Sequence, residues 1–389
     1  MESDRYWIWL SQLNISPKAR TAVIAHFGGA EQAFRSPKGS FSGRSGISDR
    51  ESEALEQRDL SETDRILAEC RRQKLAVLPV TAPDYPASLR QIWCPPVVLY
   101  VQGTLPRLEE FPVLAVIGTR RASPYGIRMG RELASQLSAS GALVLSLLTA
   151  GVDEAAAQGA VETGTPCIGV LGTSHEACRL PIAREVAACG AVVSEYPPGC
   201  KSQKHFFRER NRIAAGLSDG VVVVEAPEKS GTRLFVMDAV EQGKDIFAVP
   251  GNADAENAAG TLLLIKEGAK LITNAGDVLE EYRTRYPALP GQTSSRRPSP
   301  VKARRESADQ PVNREEDAGI RPGGRKTDTA DLSDDQTRIL GSIDEHGTHV
   351  DDITVRTGLP MARVLSQLTL LEIRGFVRRD AGRRFFRIT

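Results

Sequence analysis

The chain has 389 residues, 50 lysines and arginines against 49 aspartates and glutamates, and a formal charge of +1. That near-balance excludes a protein that is basic all over, so any anion site must be a local patch. No apolar run approaches the roughly 20 residues that span a bilayer, and "MESDRYWIWL" carries no basic segment leading into an apolar core of the secretory kind. The six cysteines are scattered, with no C-x-x-C pair, and read as reduced thiols of a cytoplasmic protein without a metal site.

In chain order, "WIWLSQLNISPKARTAVIAHFGGAEQAF" shows helical spacing broken at "NISP" and "FGG". Ser16 before Pro17 predicts a capped helix start. Residues 1–62 are expected to form a small helical unit like a SAM or helix-hairpin-helix module, either touching DNA or serving only to pack. From Leu75, "LAVLPV" and "PVVLYVQG" read as strands. Then apolar strands alternate with helices: "FPVLAVIG", "ALVLSLL", "PCIGVLG", "AVVSEY", "GVVVVEA", "DIFAVPG" and "AKLITN". This predicts a doubly wound parallel α/β sheet within residues 63–284. Residues 285–332 are rich in Pro, Gly, Ser and charge with few large apolar groups, the composition of a disordered linker. Residues 333–389 read as three helices and a hairpin, a winged helix. Its third helix offers mainly Arg363 and Gln367 toward a groove. The wing carries Arg374, Arg378, Arg379, Arg383, Arg384 and Arg387, which suits backbone contact or a protein partner better than base readout.

Ligands of open parallel sheets sit at the carboxyl ends of strands. The first such turn is "VIGTRRASPYG", residues 116–126. Gly118 permits close backbone approach, Thr119 lies in the same turn, Arg120 and Arg121 supply charge, and Ser123 supplies a hydroxyl. The helix starting near Pro124 is expected to aim free N–H groups into the crevice. Neither G-x-G-x-x-G nor the phosphate-loop motif occurs, so no dinucleotide, ATP or other cofactor is implied. Five cations, Lys201, Lys204, Arg208, Arg210 and Arg212, crowd into residues 201–212 with Phe206 and Phe207. Arg210 and Arg212 suit forked phosphate contacts, and one of the two phenyl rings suits base stacking. The "KSGT" turn, with Ser230 and Gly231, adds amides and Lys229 at a strand end. Several anion sites along one sheet edge suggest a polymer of phosphates.

These stretches, together with "SEYPPG", "EQGKDIFAVPGN" and "IKEGAKLITN", resemble the DprA (Smf) family of DNA-processing proteins over nearly the whole chain apart from the linker. The resemblance implies an extended Rossmann-like fold, single-stranded DNA binding without nucleotide hydrolysis, a homodimer, and loading of the RecA recombinase during natural transformation. Carried over, Gly118, Arg120 and Ser123 match a phosphate turn. Lys204, Phe207, Arg210, Asn211 and Arg212 match the basic motif, Ser230 and Gly231 the serine-glycine turn, and Lys270 the lysine of "EGAKL". The family's "SGLARGID" here reads "SLLTAGVD", residues 146–153, so Leu147 replaces glycine and Ala150 an arginine. Gln158 stands for a histidine, Leu262 for an asparagine and Arg208 for a proline. Asp153 matches the family's acid or simply caps a helix. A second reading, a nucleotide-binding or phosphoribohydrolase-like enzyme, meets Phe235 where that fold carries a catalytic glutamate. No Ser-His-acid or Cys-His arrangement supports an enzyme.

Overall fold

A computed structural model describes residues 3–287, 289, 332–344, 347–359, 361–373, 376–380 and 384–387. Most of the expected linker, and Arg374 and Arg383 of the expected wing, lie outside the described residues. Five helices open the chain: α1 (Asp4–Gln12), α2 (Pro17–Phe27), α3 (Ala30–Arg35), α4 (Asp49–Leu55) and α5 (Ser61–Gln73). Ser16 caps α2 as its sequence predicts, accepting the Ala19 N–H at 3.2 Å. A hairpin-like pair follows, β1 (Leu75–Pro79), the short α6 (Ala87–Arg90) and β2 (Val98–Gly103). The alternating part runs β3 (Val113–Ile117), α7 (Pro124–Ala139), β4 (Leu143–Ser146), α8 (Val152–Val161), β5 (Cys167–Leu171), α9 (Ile182–Cys189) and β6 (Ala191–Ser194). It continues through α10 (Phe206–Leu217), β7 (Gly220–Val223), α11 (Gly231–Glu241), β8 (Asp245–Ala248), α12 (Ala259–Lys266), β9 (Lys270–Leu271) and α13 (Ala275–Leu279).

The strands form one sheet in the order β1-β2-β6-β5-β4-β3-β7-β8-β9. From β6 to β9 every pairing is parallel, whereas β2 runs antiparallel to both β6 and β1. The expected parallel sheet therefore carries an antiparallel edge. Its central strands bury both faces, which is why they read as continuous apolar runs. Val113, Ala115 and Ile117 join one cluster, and Leu114 and Val116 the other. The first cluster also holds Trp7, Ile8, Trp9 and Leu10, so the N-terminal helices share a core with the sheet. The chain leaves β3 toward β4 on one side and returns as β7 on the other. The carboxyl ends of β3 and β7 thus flank the topological switch point, where such sheets hold ligands.

The second compact unit contains α14 (Asp334–Gly341), β10 (Thr348–His349), α15 (Val350–Thr357), α16 (Met361–Ile373), β11 (Val377–Asp380) and β12 (Arg384–Arg387). Its strands pair in the order β10-β12-β11 around a core of Ile339, Ile353, Val364 and Leu368, a winged helix. Arg363 is tied to Asp335 at 2.6 Å, and the Gln367 Oε1 accepts from Gln336 at 3.0 Å. The two groups with most scope for reading bases are therefore engaged within the unit.

Candidate functional site

A crevice of about 470 Å³ opens at the switch point. Arg120, Arg121, Lys204, Arg208, Arg210 and Lys229 line it against a single acid, Asp153. The structure thus brings together the "GTRR" turn at residues 118–121, most of the basic motif at 201–212 and the "KSGT" turn at 229–232.

The first turn is held by β7. Thr119 N–H donates to Glu225 O at 2.7 Å, and Gly118 N–H donates to Asp153 Oδ1 at 3.1 Å. Gly118 lines the crevice and is also needed for packing, because a Cβ there would sit 2.6 Å from Val152 Cγ2 and 2.8 Å from Glu225 O. Two expectations fail here. Ser123 is absent from the crevice lining; its hydroxyl donates to Glu225 Oε1 at 2.6 Å while its N–H donates to Glu225 Oε2 at 2.9 Å. Ser123 Oγ also accepts the Gly126 N–H at 3.1 Å, capping α7. The start of α7 is therefore occupied by the chain's own carboxylate, and its N–H groups are not free for an external anion. Glu225 is only 6% exposed, and a Cβ on Gly126 would lie 2.2 Å from its Oε2, so glycine is needed for this lock. The sequence offered one signal for it, an acid at the end of an apolar strand.

The start of α11 is different. Its first turn contains no acid, Ser230 makes no side-chain cap, and Ser230, Gly231 and Thr232 all line the crevice. A helix start with unspent N–H groups attracts anions, and Lys229 stands beside it.

On α10 the two phenylalanines part company. Phe206 is buried and stacks on Tyr196, with centroids 3.8 Å apart. Phe207 lines the crevice with Arg120 over its ring at 5.5 Å and Arg210 at 5.9 Å. Arg210 is 5% exposed, donates to Leu147 O at 2.9 Å and to Asn211 Oδ1 at 3.1 Å, and forms part of the floor. Asn211, equally buried, lies beside it. Burial pulls the Arg210 pKa down to about 10 against the opposing pull of Asp153. Burial likewise raises the Asp153 carboxyl to about 6, while the Thr149 hydroxyl, Arg210 and the Gly118 N–H restrain the rise. Asp153 does not cap α8, whose N-cap is Gly151 with no side-chain cap; its carboxylate is the floor's counter-charge.

Arg212 does not face the "GTRR" turn. Two residues on from Arg210 it lies on the other side of α10, where its Nη2 is held by both oxygens of Glu195 at 2.7 and 2.6 Å. Lys270 is likewise elsewhere, paired with Glu280 and Glu281 at the β9 edge and absent from the lining. Leu147, buried at 6%, fills the place of the family glycine, and its carbonyl anchors Arg210. Ala150 is exposed in the turn between Thr149, which lines the crevice, and α8.

Comparison with known proteins agrees with this architecture. Residues 76–283 match the model of DNA recombination-mediator protein A, and residues 324–383 that of the DprA winged helix domain. The chain is similar to Protein Smf of Synechocystis, 31% identical with 98% of each chain covered. It is 36% identical to DNA processing protein DprA of Bacillus subtilis over 57% of this chain and 76% of that one. Among solved structures, DNA processing protein A of Streptococcus pneumoniae superposes with a TM-score of 0.63 at 30% identity, covering 71% of this chain and 97% of the other.

Proposed function

The chain belongs to the DNA recombination-mediator protein A family, and from that premise we propose that its crevice binds single-stranded DNA. The observation that carries this reading is the lining, six cations around one buried acid with a phenyl ring that two of them approach. Arg120, Arg121, Lys204 and Lys229 are exposed and make no ion pair among the described residues, so they take backbone phosphates. The amides of Ser230, Gly231 and Thr232 at the start of α11 take a further phosphate. Phe207 offers a stacking face that only an unpaired base can reach, which favours single strands over duplex. Arg210 and Asn211 hold the floor. Phe235, 1% exposed, stands where a phosphoribohydrolase would need its glutamate, Glu225 is spent on Ser123, and the acid in the crevice lining, Asp153, is engaged by the Gly118 N–H and the Thr149 hydroxyl.

Family membership supports two further elements of the reading: a homodimer, and delivery of the bound strand to the RecA recombinase. Fluorescence anisotropy with a labelled single strand, the same sequence as duplex, and a mononucleotide tests the binding. The single strand is expected to bind most tightly. Equal affinity for duplex, or preference for the mononucleotide, overturns the reading. Coprecipitation of RecA with the full chain tests the partner, and the mass of the full chain in sedimentation equilibrium, expected at twice that of one chain, tests the dimer.

A further inference from the structure

Arg212 and Arg20 belong to a second cavity, of about 530 Å³, at the seam where α2 meets the sheet and α10. Its walls are mostly apolar, including Ile24, Val80, Pro95 and Val97. Three arginines reach it. Arg90 is spent on the backbone, donating to Val80 O, Ala82 O and Tyr85 O at 2.9–3.2 Å. Arg20 spends only Nη2, on Ser11 O at 3.2 Å and Leu13 O at 3.0 Å, and no carboxylate lies within ion-pair distance of it among the described residues. Arg212 spends only Nη2, on Glu195. Arg20 Nε and Arg212 Nη1 are buried without partners.

Of these two guanidiniums only Arg212 is paired with a carboxylate, while Glu195 and Glu209 act on Arg20 from beyond ion-pair distance. Buried charge is costly unless paired, and burial accordingly lowers the Arg20 pKa, with Glu195 opposing. Cys94, 8% exposed on the wall, has φ of +59°, a left-handed conformation that costs energy for any residue bearing a Cβ. Backbone strain of that kind gathers at ligand sites. We propose that the seam cavity binds an amphipathic carboxylate, its charged group on the N–H donors that Arg20 and Arg212 leave unspent and its apolar body on Ile24, Val80, Pro95 and Val97. A carboxylate matches the planar fork of a guanidinium, and it gives Arg20 the ion-pair partner that it lacks among the described residues.

Octanoate, 1-octanol and inorganic phosphate serve as probes, titrated against the full chain by saturation-transfer NMR and calorimetry. Octanoate is expected to bind about tenfold more tightly than octanol, the worth of one charge-assisted contact. Ala25 is exposed and lines the cavity; Ala25→Trp occludes it without touching the core and is expected to abolish octanoate binding. Glu195→Gln removes the competing carboxylate and is expected to tighten octanoate about tenfold, a gain that unfolding cannot mimic. The proposal is overturned by equal octanol binding, by phosphate binding where octanoate does not, by octanoate binding that survives Ala25→Trp, or by no tightening in Glu195→Gln.

Discussion

Removing one free cation from the crevice changes both the affinity for single strands and its dependence on salt, and the two changes are linked. Arg120, Arg121, Lys204 and Lys229 line the crevice, are exposed, and have no ion-pair partner among the described residues. Arg208 is drawn to Asp238 at 3.4 Å, and Arg210 is buried against Leu147 O and Asn211. About four phosphates are then neutralised, and at roughly 0.7 per phosphate for single strands log K falls with log salt at a slope near −2.8. Between about 50 and 200 mM salt, affinity should drop about fiftyfold. Arg120→Ala removes one contact, so the slope becomes about −2.1 and the drop about twentyfold. At the lower salt the variant binds about tenfold or more weakly, since a charge-assisted hydrogen bond is worth about 1.5–3 kcal/mol. Arg120 also lies over the Phe207 ring. Arg120→Lys therefore serves as a control that keeps the charge and the slope while losing the fork. Anisotropy titrations of a labelled oligothymidine at four or more salt concentrations measure all of this. If Arg120→Ala leaves the slope at its starting value while the protein stays folded, the crevice is not where the phosphates go.

Three other outcomes follow from the same geometry. Arg212→Gln should leave the salt slope unchanged yet destabilise the fold by about 2 kcal/mol in urea titration, because it strands the part-buried Glu195 carboxylate; a shallower slope would return Arg212 to the DNA site. Asp153 is raised above its unfolded value, so the native state holds the extra proton: stability from this group falls as pH rises from about 4 to about 6 and is flat above. Asp153→Asn should remove that dependence in urea titrations across pH and strengthen single-strand binding at neutral pH, since a negative charge leaves the floor. Ala150→Arg should add one phosphate contact from an exposed turn, raising affinity about tenfold and steepening the slope by about 0.7; an unchanged isotherm would show that this turn faces away from the strand.

Why some of this was readable in the sequence and some was not comes down to range. The central strands, β3 to β7, announce themselves because a strand buried on both faces is an apolar run whatever its neighbours. The helix start at Ser16 is readable because a cap reaches only three residues along the chain. Ser123 carries the same local signature, yet its meaning depends on Glu225, 102 residues away. That carboxylate turns what looks like an open anion site into a closed one. The basic run shows the same effect on a shorter scale. Helical spacing alone separates Arg210 from Arg212 by about 200°, so residues 201–212 were never one patch. Spacing does not say that Leu147 O takes one guanidinium and Glu195 the other. Those partners sit at the ends of β4 and β6, strands whose neighbours are fixed only by the topology of the sheet. What remains of the motif for a ligand is Lys204 and the face of Phe207, joined by Arg120, Arg121 and Lys229 from two other turns. The dense cation cluster on α10 therefore builds the floor and the seam of the fold. The charge left over for a polyanion comes mostly from loops at the switch point, whose cations were individually the weaker signal.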